Sequence, residues 1–188
     1  FGEGEDSVTL RPEVTPSVVR MLLEKGMFGK QNFWKLFYFG PAFRRERPQK
    51  GRQRQFTQIG VEALGSYDPQ LDAETIRLYA HFLQELGISQ YEIRLNSIGC
   101  PECRPQYREV LRKEIQPELS HYCENCQRRF DRNVFRILDC KKCRKRTEKL
   151  PPAIDHTCAK CQEHFAGVEK ALTGVPYRVD PRIVRGLD

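Results

Sequence analysis

Alternating and helical patterns of apolar positions divide this chain into short strands and amphipathic helices. The run from Trp34 to Glu46 is rich in aromatic residues, which favour strands. From Gln53 to Glu62 the pattern alternates so that Phe56, Gln58, Gly60 and Glu62 share one face. Between them, Arg47-Pro48-Gln49-Lys50-Gly51-Arg52 carries turn residues and is too polar for a core, so the pattern predicts a hairpin with a basic tip. Ser7 to Leu10 reads as a short strand end. Tyr91 to Ser97 reads as a further strand, with Tyr91, Ile93 and Leu95 alternating against Glu92, Arg94 and Asn96.

Helical spacing begins at Pro16, with Thr15 as N-cap and the proline in the first turn. Val18, Val19, Leu22 and Leu23 form its apolar stripe, and Gly26 ends it. Asp68-Pro69 opens a second helix, closed by Gly87. Its Leu71, Thr75, Leu78, Tyr79, Phe82, Leu83 and Leu86 recur at helical spacing and are assigned to the core, with His81 off the stripe and on the surface. Arg104 to Ile115, stopped by Pro117, and Gln162 to Leu172, ended by Gly174, are also predicted helices. From Val175 the chain turns extended. A sheet flanked by helices follows, an α+β fold.

A chain of 188 residues can bury a real core in one or two domains. No apolar run is long enough for a membrane span, and the opening FGEGEDSVTL lacks the basic and apolar regions of a signal peptide. Nothing points away from the cytoplasm. The first residue is not Met and the chain stops after VRGLD, which suggests an internal piece of a longer protein.

The composition changes at Gly99. All eight cysteines follow, as four C-x-x-C pairs: Cys100/Cys103, Cys123/Cys126, Cys140/Cys143 and Cys158/Cys161, with gaps of 19, 13 and 14 residues between pairs. Two thiolates from one tight turn and two from another complete the tetrahedron that zinc prefers. Disulfides fit less well because nothing indicates secretion. A redox site would need one pair, and unrelated buried thiols would not fall into pairs. Structural zinc is therefore expected, in a small helical domain over 99–173. Residues 1–98 and 174–188 are assigned to the main domain. Four pairs can be grouped into two sites in three ways, and the spacing does not choose among them. His121, His156 and His164 are left out of the ligand set.

The formal net charge is +7. From Cys100 to Lys149 there are 14 basic and 8 acidic residues, which points to an anionic partner such as RNA. Zinc on four thiolates carries about −2, so two sites would offset roughly four of those positive charges. The hairpin is basic too: six Lys or Arg lie between Arg44 and Arg54 against one acid, Glu46. Guanidinium forks suit phosphate, an aromatic ring can stack on a base, and a carboxylate can hold an ammonium group. A solvated basic hairpin would carry the same charges.

The order of these residues adds more. Phe43-Arg44-Arg45-Glu46, then Arg52-Gln53-Arg54-Gln55-Phe56, then Glu62, resembles motif 2 of the class II aminoacyl-tRNA synthetases. The detail ERPQKGRxRQF, with TLRPEVT (Thr9 to Thr15) and VRGLD (Val184 to Asp188), is similar to the histidyl-tRNA synthetases across essentially the whole chain. Where the family usually has Gly, this chain has Val14. The resemblance implies part of a class II antiparallel sheet with flanking helices, plus an inserted helical domain that approaches the tRNA acceptor arm. It implies ATP-dependent activation of histidine as its adenylate and transfer to tRNA(His), with ATP and magnesium, in a homodimer without membrane attachment.

The resemblance also assigns roles. Arg44 and Arg185 would act at the α-phosphate, Arg52 at the γ-phosphate, Phe56 on adenine, and Glu46 nearby. Glu13, Gln58 and Glu62 would hold the histidine ammonium group, with Thr15 beside them. A cap alone would also explain Thr15, and a turn would explain Arg185. Motif 1, motif 3, the anticodon-binding domain and most imidazole-recognising residues are absent, so the piece is expected to be inactive in isolation. Two other readings compete. One is the non-catalytic paralogue that regulates ATP phosphoribosyltransferase, and the other is a zinc-stabilised RNA-binding module.

Overall fold

The computed structural model describes residues 8–47 and 49–183. The chain divides into two compact units, Phe1–Leu71 and Asp72–Asp188.

In the first unit, helix α1 (Thr15–Glu24) buries Val18 and Leu22. The fourfold spacing of these residues puts them on one face, whereas Leu23 is exposed. The helix starts one residue earlier than predicted, and Thr15 does not cap it. Val14 occupies the cap position without a side-chain bond, and its carbonyl accepts from Ser17 and Val18. The predicted strand at residues 7–10 is not formed over the described Val8–Leu10. Near this region the Phe43 amide donates to the Arg11 carbonyl.

Strands β1 (Trp34–Phe43) and β2 (Gln55–Leu64) form the predicted antiparallel hairpin. Arg44, Glu46 and Gln53 lie just outside the strands, although the Arg44 amide still donates to the Arg54 carbonyl. The tip closes through Gln49 and Arg52, with Gly51 at φ +79°.

Gly65, just past β2, has φ +99°, and an added Cβ would lie 1.8 Å from the Asn32 carbonyl oxygen. Neither the torsion nor the backbone contact can relax cheaply. Gly65→Ala is therefore expected to cost about 2–3 kcal/mol or more. Gly51→Ala, with open space around its Cβ, should cost only about 1 kcal/mol. Urea unfolding of the two variants checks the difference; equal losses would contradict it.

Helix α2 (Pro69–Glu85) opens as predicted, with the Gln70 amide donating to the Asp68 carboxylate. Its buried face differs from the one expected. Ala73 and Ala80 are buried, whereas Leu78, Tyr79, Phe82 and Leu86 are exposed. Ala73 and Ile76 pack on Val168 and Leu172 instead. His81 is on the surface, beside Glu85.

The second unit continues with β3 (Ile93–Leu95), shorter than predicted, and then α3 (Cys103–Ile115), α4 (Glu124–Arg132), α5 (Phe135–Leu138), α6 (Arg144–Thr147), α7 (Ala159–Ala171) and β4 (Tyr177–Val179). β3 pairs in parallel with β4 and does not extend the hairpin sheet. Period-two patterning carries no information about the partner strand, so this was not legible from the residues. Gly174 follows α7 with positive φ.

The larger core of this unit is built on α3. Cys103, Tyr107, Leu111 and Ile115 are buried at every fourth position. Tyr107, Leu111 and Ile115 pack with Cys126 and Phe130 of α4, Phe135 and Ile137 of α5, Val134, Cys143, Leu150 and Ala153. Full burial of Leu111, Ile115 and Ile137 contributes about 1.5–3 kcal/mol each. Tyr107 stacks with both Phe135 and His156, and its hydroxyl donates to the Pro151 carbonyl. Among the described residues no helix is long and apolar enough to cross a membrane.

Candidate functional site

The hairpin register decides which side chains work together. Phe56, Gln58, Gly60 and Glu62 lie opposite Ala42, Gly40, Tyr38 and Leu36. They line the more covered face, while Phe37, Phe39, Ile59 and Val61 line the exposed one. Ala42 lies opposite Phe56, and the space that Gly40 leaves opposite Gln58 is taken by the Arg11 guanidinium, 2.9 Å from where a Cβ would stand. Tyr38 fills the space that Gly60 leaves, since a Cβ there would come within 2.3 Å of the phenol.

Thr15 joins this face from outside the hairpin. Its hydroxyl donates to Glu62 Oε1 at 2.5 Å and lies 3.5 Å from the Tyr38 hydroxyl. The Gln58 side-chain oxygen is buried with no hydrogen-bond partner among the described residues. A buried acceptor left unpaired costs about 1–3 kcal/mol, which a ligand donor would recover. Glu62 and Gln58 thus offer acceptors on one face, the chemistry an ammonium group needs.

Glu13 sits half-buried in the segment ahead of α1. Three bonds tie that segment to the end of β1. The Phe43 amide donates to Arg11 O, Arg11 Nε donates to Pro41 O at 2.8 Å, and Arg44 Nε donates to Pro12 O at 2.9 Å. Val14 has φ −106° and a buried side chain, so the backbone here is ordinary for a β-branched residue.

The other end of the face is cationic. The Arg44 guanidinium lies 5.0 Å from the centre of the Phe56 ring. Arg52 pairs with Glu46 at 3.2 Å across the hairpin tip, and Arg54 reaches the Glu46 carbonyl. One strand therefore carries acceptors at Glu62 and Gln58, and an aromatic ring with a forked cation at Phe56. Arg185 lies outside the described residues. Sequence reasoning missed Tyr38 and Arg11. The available signal for Tyr38 was a glycine directly opposite it in a hairpin.

The eight cysteines gather into two clusters, Cys100/Cys103/Cys158/Cys161 and Cys123/Cys126/Cys140/Cys143, each with its sulfurs within 4.8 Å of one another. Of the three groupings open from spacing, the fold brings together the outer pairs and the inner pairs. Observed Sγ separations are 3.5 Å for Cys100–Cys103, 3.8 Å for Cys103–Cys161 and 3.7 Å for Cys123–Cys140. A tetrahedron with ~2.3 Å metal–sulfur bonds has edges of about 3.8 Å, so the residues fit zinc.

Backbone amides support the sulfurs: Cys158 N donates to Cys103 Sγ at 3.1 Å, and Cys123 N to Cys143 Sγ at 3.3 Å. Burial pushes the Cys161 thiol up to about 12, and the Cys126 thiol upward as well, so these sulfurs need a cation to ionise. The omitted histidines include His156, stacked on Tyr107, and His164, beside Asp72.

The family model for histidyl-tRNA synthetase matches residues 3–102. The chain is 46% identical over 190 residues to the histidine–tRNA ligase of Geobacter metallireducens, covering 99% of this chain and 46% of that protein. It is 48% identical to the histidine–tRNA ligase of Halothermothrix orenii, covering 99% of this chain and 45% of the relative. The crystal structure of apo histidyl-tRNA synthetase from S. aureus superposes with a TM-score of 0.78 at 36% identity, over 99% of this chain and 44% of that one. The chain thus spans less than half the length of the curated relatives it matches. With motif, register and relatives in agreement, this chain belongs to the histidyl-tRNA synthetase family.

Proposed function

We propose that this chain is part of an enzyme that activates histidine with ATP as the adenylate and transfers it to tRNA(His). The observation that carries this reading is the Thr15–Glu62 hydrogen bond. It joins the TLRPEVT segment to the hairpin strand, so that Thr15, Glu62 and Gln58 stand towards one end of the face and Phe56, with Arg44 over its ring, towards the other.

The histidine carboxylate oxygen attacks the α-phosphorus, the bond to the bridging oxygen breaks, and pyrophosphate leaves. Such transfers depend on positioning and on neutralising charge. Arg44 stabilises the α-phosphate charge, and Arg185 does the same on sequence grounds. Arg52 holds the γ-phosphate end with Glu46 nearby, and Phe56 stacks on adenine. Glu13, Gln58 and Glu62 fix the histidine ammonium group, with Thr15 orienting Glu62. Magnesium supplies charge neutralisation at the pyrophosphate when bound.

In the same reading, residues 1–98 and 174–188 belong to the catalytic domain of a homodimeric cytoplasmic protein. Residues 99–173 form an insert that meets the tRNA acceptor arm, and its cysteines hold zinc as a stabiliser remote from the chemistry. The 188-residue piece by itself is inactive.

The test is histidine-dependent exchange of pyrophosphate into ATP by the full-length protein. Glu62→Gln is expected to raise the histidine KM roughly 10–100-fold, the effect of losing a charge-assisted contact of about 1.5–3 kcal/mol. The KM for ATP should change far less. Absence of exchange in a folded, zinc-replete protein would instead favour the regulatory paralogue.

A further inference from the structure

We infer that the insert carries two zinc ions with different duties, nested one inside the other. An inner ion on Cys123, Cys126, Cys140 and Cys143 is part of the hydrophobic core, and an outer ion on Cys100, Cys103, Cys158 and Cys161 clasps the root of the domain. The inference rests on the zinc reading above and is independent of the synthetase reading.

Three observations support it. First, the grouping is set by the fold: the outer sulfurs converge although Cys103 and Cys158 are 55 residues apart. The chain between them contains the whole inner cluster. The outer ion would therefore close a loop around a site already complete within it.

Second, the surroundings differ. Cys126 and Cys143 belong to the core around Leu111 and Ile137, and Cys123 and Cys140 pack against it. None of Cys100, Cys103, Cys158 and Cys161 is part of that core. In the outer cluster Cys103 alone is buried, whereas the inner cluster has two buried sulfur residues, Cys126 and Cys143. A chelator should reach the outer ion first.

Third, the outer cluster is built with its own backbone device. Gly99 has φ +71°, and a Cβ there would fall 2.7 Å from the Cys103 Cβ. This glycine turns the chain so that Cys100 and Cys103 can face one point at the start of α3. Cys158 and Cys161 meet them from the start of α7.

The experiment uses the full-length protein purified with zinc, and counts ions per chain after a chelator wash that strips three-thiolate sites. Wild type should hold two ions. Cys100→Ser/Cys158→Ser should hold one, because both lost ligands belong to one site, and should keep its helical circular dichroism. Cys100→Ser/Cys123→Ser should hold none, since each site is left with three thiolates. Under either other grouping, Cys100→Ser/Cys158→Ser would damage both sites and retain no ion, which would overturn the nesting. Wild type without zinc would overturn the zinc reading itself, leaving the synthetase reading untouched.

Cobalt substitution supplies a second readout. The retained ion in Cys100→Ser/Cys158→Ser should show thiolate-to-cobalt charge transfer of a four-sulfur site. Under chelator, wild type should lose one equivalent with little change in helicity and the second together with it. Simultaneous loss of both ions with the helical signal would refute the separate duties.

Discussion

Arg44→Ala in the full-length protein is expected to lower histidine-dependent pyrophosphate exchange roughly 10²–10³-fold, the usual effect of removing one pre-aimed donor from a developing anion. Most of the loss should fall on kcat, because the added charge on the α-phosphate exists only in the transition state. Arg44 is also tied into the fold, through Nε to Pro12 O and over the Phe56 ring. Those contacts are worth about 1–2 kcal/mol of stability at an exposed position, too little to unfold a domain. A variant that stays folded but loses exchange therefore separates the two roles. Arg44→Lys should recover only a small part, since an ammonium group cannot hold Pro12 O and present a fork to phosphate together. Exchange within threefold of wild type in a folded Arg44→Ala protein would remove Arg44 from the proposed chemistry.

The second large effect concerns metal. On the proposed zinc reading, stripping both ions, or replacing Cys126 and Cys143 together by serine, should unfold residues 103–153. Structural zinc contributes about 10–16 kcal/mol of apparent binding energy, whereas a whole domain is stable by about 5–15 kcal/mol. Cys126 is fully buried and Cys143 nearly so, among Leu111, Phe130 and Ile137. Serine there would leave buried hydroxyls where thiolates had been bound. Amide exchange over α3, α4 and α5 reads the result directly. Protection that survives complete removal of zinc would show that the apolar core suffices alone.

Much of this was visible in the residues. The hairpin was legible because period-two alternation and a polar, glycine-containing connector are local signals. The helix at Asp68-Pro69 was legible for the same reason, since cap and proline act within one turn. The face that α2 buries was not. Leu78, Tyr79, Phe82 and Leu86 looked like core, yet Ala73 and Ala80 are buried. Hydrophobicity ranks the stripes of a helix, but tertiary contacts, here with Val168 and Leu172, choose between them. Thr15 shows the same limit from the other side. Its place before a proline is that of a cap, but its hydroxyl goes to a carboxylate 47 residues away.

By itself, the sequence determined the four C-x-x-C pairs, the hairpin and the order of motifs that marks the family. These depend on residue identity and on spacings of a few positions. The tertiary structure decided which cysteine pairs meet, which strand accompanies β3 and which hydroxyl orients Glu62. Those contacts join segments tens of residues apart, and local geometry places no constraint on them.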